Sequence, residues 1–247
     1  SRINGSTELS YTVYNYTLLS ANGGDDNSNT LDMVTTYRDH TMARRLSETY
    51  YNTARGEGFE IASYSLNYNS LNLVKDTTVF FYGANHNKAG DNNGANPPVY
   101  TINENTAMTA QVTMDGDIRN TTLATITFAN SAAVGRKAVT YYKGAKDEEV
   151  SWFTVNYDKS TGTRAKDTTI YLYGSSNLQA DNGSVDSDTN MSYQVSFRDI
   201  ALSSGDISGV GIDTTYVTIA TGPNAGTYYR KGRIQYQGVK GEEKALY

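Results

Sequence analysis

The chain contains copies of itself, and this constrains its fold more than any other feature of the sequence. From Tyr50-Tyr51 onward a stretch aligns without a gap with one beginning at Tyr141-Tyr142, at an offset of 91 residues. Ala54-Arg55 falls opposite Ala145-Lys146, and Glu57 opposite Glu148. The match closes on Lys75-Asp76-Thr77-Thr78-Val79-Phe80-Phe81-Tyr82-Gly83 against Lys166-Asp167-Thr168-Thr169-Ile170-Tyr171-Leu172-Tyr173-Gly174. A third copy begins at Arg230-Lys231 and matches Arg136-Lys137 onward, at an offset of 94 residues. In it Tyr142, Gly144, Lys146, Glu148 and Glu149 recur as Tyr236, Gly238, Lys240, Glu242 and Glu243. The unit fronts repeat as well: Leu9, Tyr11 and Val13 match Met108, Ala110 and Val112, and Met191, Tyr193 and Val195. A fixed period of this kind marks a supersecondary unit that stacks on its own copies.

Each unit reads as about five strands. Met191, Tyr193, Val195 and Phe197 alternate with Ser192, Gln194 and Ser196, the period of a half-buried antiparallel strand. Ala124 to Phe128 is the second strand of its unit, and the double tyrosine marks the third. Val150 to Val155 is the fourth, carrying the chain's single tryptophan, Trp152, into the core; Thr169 to Tyr173 is the fifth. Ala43 to Tyr51 has some helical propensity, but its counterpart Ala138-Val139-Thr140-Tyr141-Tyr142 is β-branched and aromatic, so both are strands. Short strands with turn signals between them predict an all-β fold of tandem immunoglobulin-like antiparallel β-sandwiches, two complete repeats and a partial third. The boundaries fall at 1–103, 104–186 and 187–247. The Asn/Gly-rich stretches Ala84 to Asn105 and Ser175 to Asp188 are the linkers, and the third repeat either packs on the second or is completed by a neighbouring chain.

Composition excludes several function classes. A net charge of −5 without a basic stripe argues against a nucleic-acid partner. No apolar run reaches the roughly 18 residues of a membrane-spanning helix. With no cysteine and only His40 and His86, Cys/His zinc sites, cysteine nucleophiles and disulfide frameworks are absent. The 21 tyrosines, with abundant Thr and Asn and little charge, point to an extracellular or cell-surface protein, with the virion surface as the alternative. An opening at Ser1 rather than methionine is expected of a removed leader or of a trimmed chain.

Three loops are dense in oxygen ligands: Asp25-Asp26-Asn27-Ser28-Asn29, Asp91-Asn92-Asn93-Gly94, and Asp181 to Asp188. The residues Asp25, Asp26, Asn27, Asp91, Asn93, Asp181, Asp186 and Asp188 form a candidate calcium set, since calcium takes six to eight oxygens. The first loop starts with helix–loop–helix calcium spacing but has Thr30 for the required glycine and Thr36 for the closing glutamate. Turn formation is the competing and favoured reading. The carboxylates of Asp147-Glu148-Glu149 and Glu242-Glu243 read as solvated charged turns beside Lys146 and Lys240, not as an acid–base pair. His40 and His86 read as surface residues, His86 in a loop absent from the second unit. No catalytic residues are expected, and the protein is not read as an enzyme. Tyr50-Tyr51, Tyr141-Tyr142 and Tyr228-Tyr229 should each put one ring outward, either for sugars or subunits or as cross-strand pairs. The sequons at Asn4, Asn15, Asn120, Asn182 and Asn190 need no special cause in so Asn-, Ser- and Thr-rich a chain.

This repeat plan resembles the surface-layer proteins and donor-strand filaments of bacteria and archaea, which assemble from immunoglobulin-like β units. The resemblance implies a structural subunit of an extracellular polymer (filament, tube or surface layer) whose partner is itself. The alternative is a carbohydrate- or receptor-binding adhesin or phage virion accessory, with glycans as partners. Tyr247 aligns with Phe153, so the third unit stops a strand and a half short. If 247 is the natural end, Ser1 to Tyr16 of a neighbour is the leading candidate to supply the missing strand, the alternatives being a shortened chain or closure by the longer Ser203–Asp213 insertion.

Overall fold

In a computed structural model, which describes residues 10–18, 29–91, 100–158, 162–221 and 225–246, the chain is all-β. Its strands are β1 (Tyr11–Leu18), β2 (Asn29–Tyr37), β3 (Arg45–Asn52), β4 (Ile61–Tyr68), β5 (Val74–Tyr82), β6 (Asn87–Lys88) and β7 (Met108–Asp115). There follow β8 (Arg136–Lys143), β9 (Val150–Tyr157), β10 (Ala165–Tyr173), β11 (Leu178–Gln179), β12 (Met191–Arg198), β13 (Tyr216–Ile219), β14 (Gly226–Gln237) and β15 (Lys244–Leu246). All join one antiparallel sheet of order β1-β2-β3-β4-β5-β7-β8-β9-β10-β12-β14-β13, with β6 on β5, β11 on β10 and β15 on β14.

The expected pairs of facing sheets are therefore replaced by a single sheet that runs through the unit boundaries. Its inner face carries a row of consecutive cross-strand partners, Val79, Val112, Val139 and Val155. A second row runs Phe81, Ala110, Tyr141, Phe153, Ile170 and Val195. What covers these rows is not a second sheet but chain outside the strands, Ile118, Ile126 and Phe128 from residues 116–135 and Ile200, Leu202, Ile207 and Val210 from residues 199–213, joined by Val217 of β13. Ala124 to Phe128 is accordingly not a strand. It lies in turns, with Ile126 N–H donating to the Thr122 carbonyl at 2.8 Å, and Ile126 and Phe128 point inward without a ladder partner. The residues read as linkers hold short hairpin strands instead, β6 in one and β11 in the other. Trp152 is buried as expected, at 7% exposure.

Pairing also corrects the gapless alignment. Tyr50 pairs with Tyr64 as Tyr141 pairs with Phe153, so Tyr64, not Ala62, is the counterpart of Phe153. The β3–β4 connection is longer in the first unit and the β4–β5 turn shorter, and the two differences cancel by β5.

The hydrogen bonds show why particular letters recur. Tyr82 Oη donates to the Ala62 carbonyl and Tyr173 Oη to that of Ser151, both at 2.7 Å. Thr77 Oγ1 donates to the Gly116 carbonyl at 2.7 Å and Thr168 Oγ1 to that of Ile200 at 2.6 Å, pinning each covering segment at its start. Across each unit boundary a lysine meets a buried aspartate. Lys137 Nζ lies 3.5 Å from Asp76, which also accepts from Asn67 Nδ2 at 2.7 Å. Lys231 Nζ lies 2.7 Å from Asp167, which also accepts from Asn156 Nδ2 at 2.7 Å.

Burial pushes the Asp167 carboxyl upward, but the Lys231 and Asn156 hydrogen bonds outweigh it and hold the group below the usual carboxylate range. A depressed folded-state value adds stability that is complete above the unfolded value of about 4 and is lost as pH falls through the folded one. Lys231→Met is expected to cost about 1 kcal/mol at neutral pH. It should also flatten the acid-side fall of the melting temperature relative to the parent. Parallel melting curves below pH 4 would show that this tie adds nothing.

Candidate functional site

An open groove of about 580 Å³ lies on the inner face between the two covering segments. Its wall on the β5 side is the β5–β6 turn with Ala84 and His86. Its base is Tyr141, Trp152 and Phe153, and Ser203 and Ser204 close the far side, with Lys143 at the rim. Tyr141 and Phe153 stack at 4.4 Å between centroids, and Trp152 meets Phe153 edge-on at 5.2 Å. The His86 ring stacks on Phe128 at 4.2 Å. Bulges shape the base: Tyr141 pairs with Phe153 but Tyr142 with Ser151, which leaves Trp152 without a cross-strand partner, and Thr109 is displaced in the same way on β7.

His86 is half-buried, not a surface residue, and its position is not missing from the second unit. Asn177 holds the same place after Gly174 that His86 holds after Gly83, with φ of 54° against 51°. Burial lowers the imidazole pKa from its ordinary value, favouring the neutral ring. Thr109 Oγ1 donates to the Gly83 carbonyl at 2.8 Å, so its 2.9 Å contact with His86 Nδ1 has the imidazole as donor. The proton sits on Nδ1, and Nε2 presents a lone pair. Trp152 Nε1 donates to Gln179 Oε1 at 3.1 Å, while Gln179 Nε2 reaches the Ile207 and Val210 carbonyls at 2.8 and 2.9 Å. Lys143 Nζ stands 4.5 Å over the Trp152 ring, and no carboxylate pairs with it among the described residues. These polar partners were invisible in the sequence because they come from four separate segments. The available signal was the break in the repeat at His86 and Trp152.

Of the acidic loops, Asp25, Asp26, Asn27 and Asn93 lie outside the described residues. Asp91 Oδ2 accepts the Lys88 N–H at 2.7 Å, and Asp186 Oδ1 accepts from Asp188 N and Thr189 Oγ1 at 3.1 and 2.7 Å. These are turn-closing bonds. Asp181 and Asp188 are exposed, and no group of three or more His, Asp or Glu side chains that could hold a metal ion forms among the described residues.

The charged turns differ from expectation. Glu149 Oε1 accepts the Met108 N–H at 2.8 Å and Glu243 Oε1 that of Met191 at 3.2 Å, so each reaches across to the first residue of a front strand. The first unit does the same with Glu60, which accepts the Leu31 N–H at 3.0 Å. Met33 pairs with Tyr50 as Ala110 pairs with Tyr141, so β2 with Leu31, not Leu9 and β1, holds the front place of Met108 and Met191. His40 is exposed, as expected. Of the tyrosine pairs only Tyr229 faces outward; Tyr50, Tyr51, Tyr141, Tyr142 and Tyr228 are half-buried, with Tyr50 stacked on Tyr64 at 4.6 Å and Tyr141 on Phe153 at 4.4 Å.

The sheet ends form a second candidate surface. Tyr14 and Tyr16 on the terminal strand β1 are each 59% exposed, and Tyr11 is exposed beside them. At the opposite end Tyr216, Tyr229, Ile234, Val239 and Leu246 are exposed. Tyr11–Leu18 is already paired with β2, so Tyr11 to Tyr16 of the proposed donor segment belong to their own sheet; residues 1–9 lie outside the described residues. Among the described residues no helix is long and apolar enough to cross a membrane. Compared with family models, curated proteins and solved structures, the chain matches none.

Proposed function

We propose that this chain is a non-enzymatic structural subunit of an extracellular polymer, joined copy to copy in the direction in which its own units are joined. The supporting observation is the internal joint. At both boundaries, β5–β7 and β10–β12, one unit continues the next through a main-chain ladder and a lysine–aspartate tie. Such a joint is open: it repeats without closing, as head-to-tail contacts in fibres do. Exposed edges are templates for strand addition, and β1 presents three tyrosines where edge strands commonly carry protective charge. With β1 held in its own sheet, edge addition serves this polymer better than donor-strand exchange, because no strand has to leave.

Sedimentation velocity and negative-stain microscopy test the reading. The parent protein is expected to form filaments, tubes or sheets. The double variant Tyr14→Lys, Tyr16→Lys is expected to stay monomeric with an unchanged circular dichroism spectrum, because two charges on an edge oppose strand addition. A parent protein that remains monomeric at high concentration, or a variant that polymerises as the parent does, overturns the proposal.

A further inference from the structure

We propose that the groove between the two covering segments binds an acidic saccharide, with its carboxylate at the Lys143 ammonium and a ring hydroxyl donating to His86 Nε2. This goes beyond the polymer reading and holds for a single chain whether or not copies assemble.

The internal repeat separates framework from site, since each position can be compared with its counterpart at the next boundary. The framework recurs. Gly144 returns as Gly238, Glu149 as Glu243, Tyr142 as Tyr236 and Met108 as Met191, while Thr109 returns as the hydroxyl residue Ser192. Ser192 Oγ bonds the Leu172 carbonyl at 3.0 Å, much as Thr109 bonds that of Gly83. The groove's chemistry does not recur. His86 becomes Asn177, Tyr141 becomes Gln235, Lys143 becomes Gln237 and Trp152 becomes Leu246. The fold thus keeps what the turn needs and places an aromatic base, a cation and a ring acceptor at the first boundary and not at the second.

Each of these groups selects a feature of the ligand. Lys143 is exposed, touches the Trp152 ring and has no carboxylate partner among the described residues, so it is free to meet an anion. His86 Nε2 accepts a hydrogen bond, which favours a ligand rich in hydroxyl donors over one rich in acceptors. The half-buried rings of Tyr141 and Tyr142 give an apolar surface suited to the C–H face of a pyranose. Ser204 adds an exposed hydroxyl, and a volume of about 580 Å³ holds two or three sugar rings.

Trp152 is the chain's one tryptophan, so intrinsic fluorescence reports on the groove directly. Digalacturonate, titrated by fluorescence with calorimetry alongside so that spectroscopically silent binding is not missed, is expected to give saturable binding. Its methyl ester should bind at least tenfold more weakly. Lys143→Gln should lose tenfold or more in affinity. His86→Asn, which installs the residue that Asn177 supplies at the same backbone conformation, should lose affinity severalfold with the melting temperature kept. No binding of digalacturonate or of glucuronate- and sialate-containing oligosaccharides overturns the proposal. So do equal affinity for acid and ester, an unaffected Lys143→Gln variant, or a response confined to carboxyl-terminated peptides.

Discussion

Replacing Ile207 by alanine is expected to lower the unfolding free energy by about 2–5 kcal/mol, the cost of truncating a fully buried aliphatic side chain. Ile207 is 0% exposed although it lies on no strand, and its carbonyl accepts from Nε2 of Gln179, whose Oε1 accepts from Trp152 Nε1. The size of the effect distinguishes two architectures. If residues 199–219 are the second layer of the core, Ile207 behaves like a sheet residue such as Ile170. If they merely overlie a sandwich complete without them, the loss stays within about 0.5 kcal/mol, as for a surface change. Urea unfolding of Ile207→Ala beside Leu71→Ala, whose side chain is 76% exposed in the β4–β5 turn, makes the comparison within one protein. A near-neutral Ile207→Ala would reject the single-sheet core.

The repeat and most of the strands were legible from letters alone, because alternation and cross-unit matching are local properties. The layer that buries those strands was not. Val195 and Phe197 alternate in the same way whether a second sheet or an irregular segment covers them, so periodicity states that one face is buried and is silent about what buries it. Ile126 and Phe128 then looked like a strand because apolar side chains in turns carry no period that would give them away. The register slip at β4 escaped for a related reason: an insertion before it and a shortening after it restore the offset at β5, so both flanks aligned cleanly.

The site was less legible than the fold. The acidic loops drew attention through composition, yet Asp91 and Asp186 spend their oxygens on neighbouring backbone N–H groups. Glu149 and Glu243 were set aside as solvated charge, although each bonds a residue more than forty positions away. Contacts at that separation exist only once the sheet has formed. The recurrence of Glu149 as Glu243 was the one hint, and repetition of a charge reads equally well as a solubility device.

The Glu149–Met108 bond supplies the second large effect, at Gly144. Its φ is +120°, and a Cβ built there would stand 2.3 Å from the Glu148 carbonyl oxygen, a backbone atom that cannot swing aside. Gly238, in the same place one unit on, has φ +136° and the Glu242 carbonyl at 2.7 Å. A side chain in such a conformation costs about 1–3 kcal/mol before any clash is counted. The turn must then open, which pulls Glu149 from the Met108 N–H and moves Lys143 at the groove rim. Gly144→Ala is therefore expected to lower the unfolding free energy by about 3 kcal/mol or more. It should also weaken digalacturonate binding and deprotect the Met108 amide in hydrogen exchange. Gly183→Ala is the control, since its backbone is not in the left-handed region and nothing lies within 4 Å of the added carbon. Its stability should stay within about 0.5 kcal/mol of the parent. Equal stability of the Gly144 and Gly183 variants would mean that this turn does not fix Glu149 on the Met108 N–H.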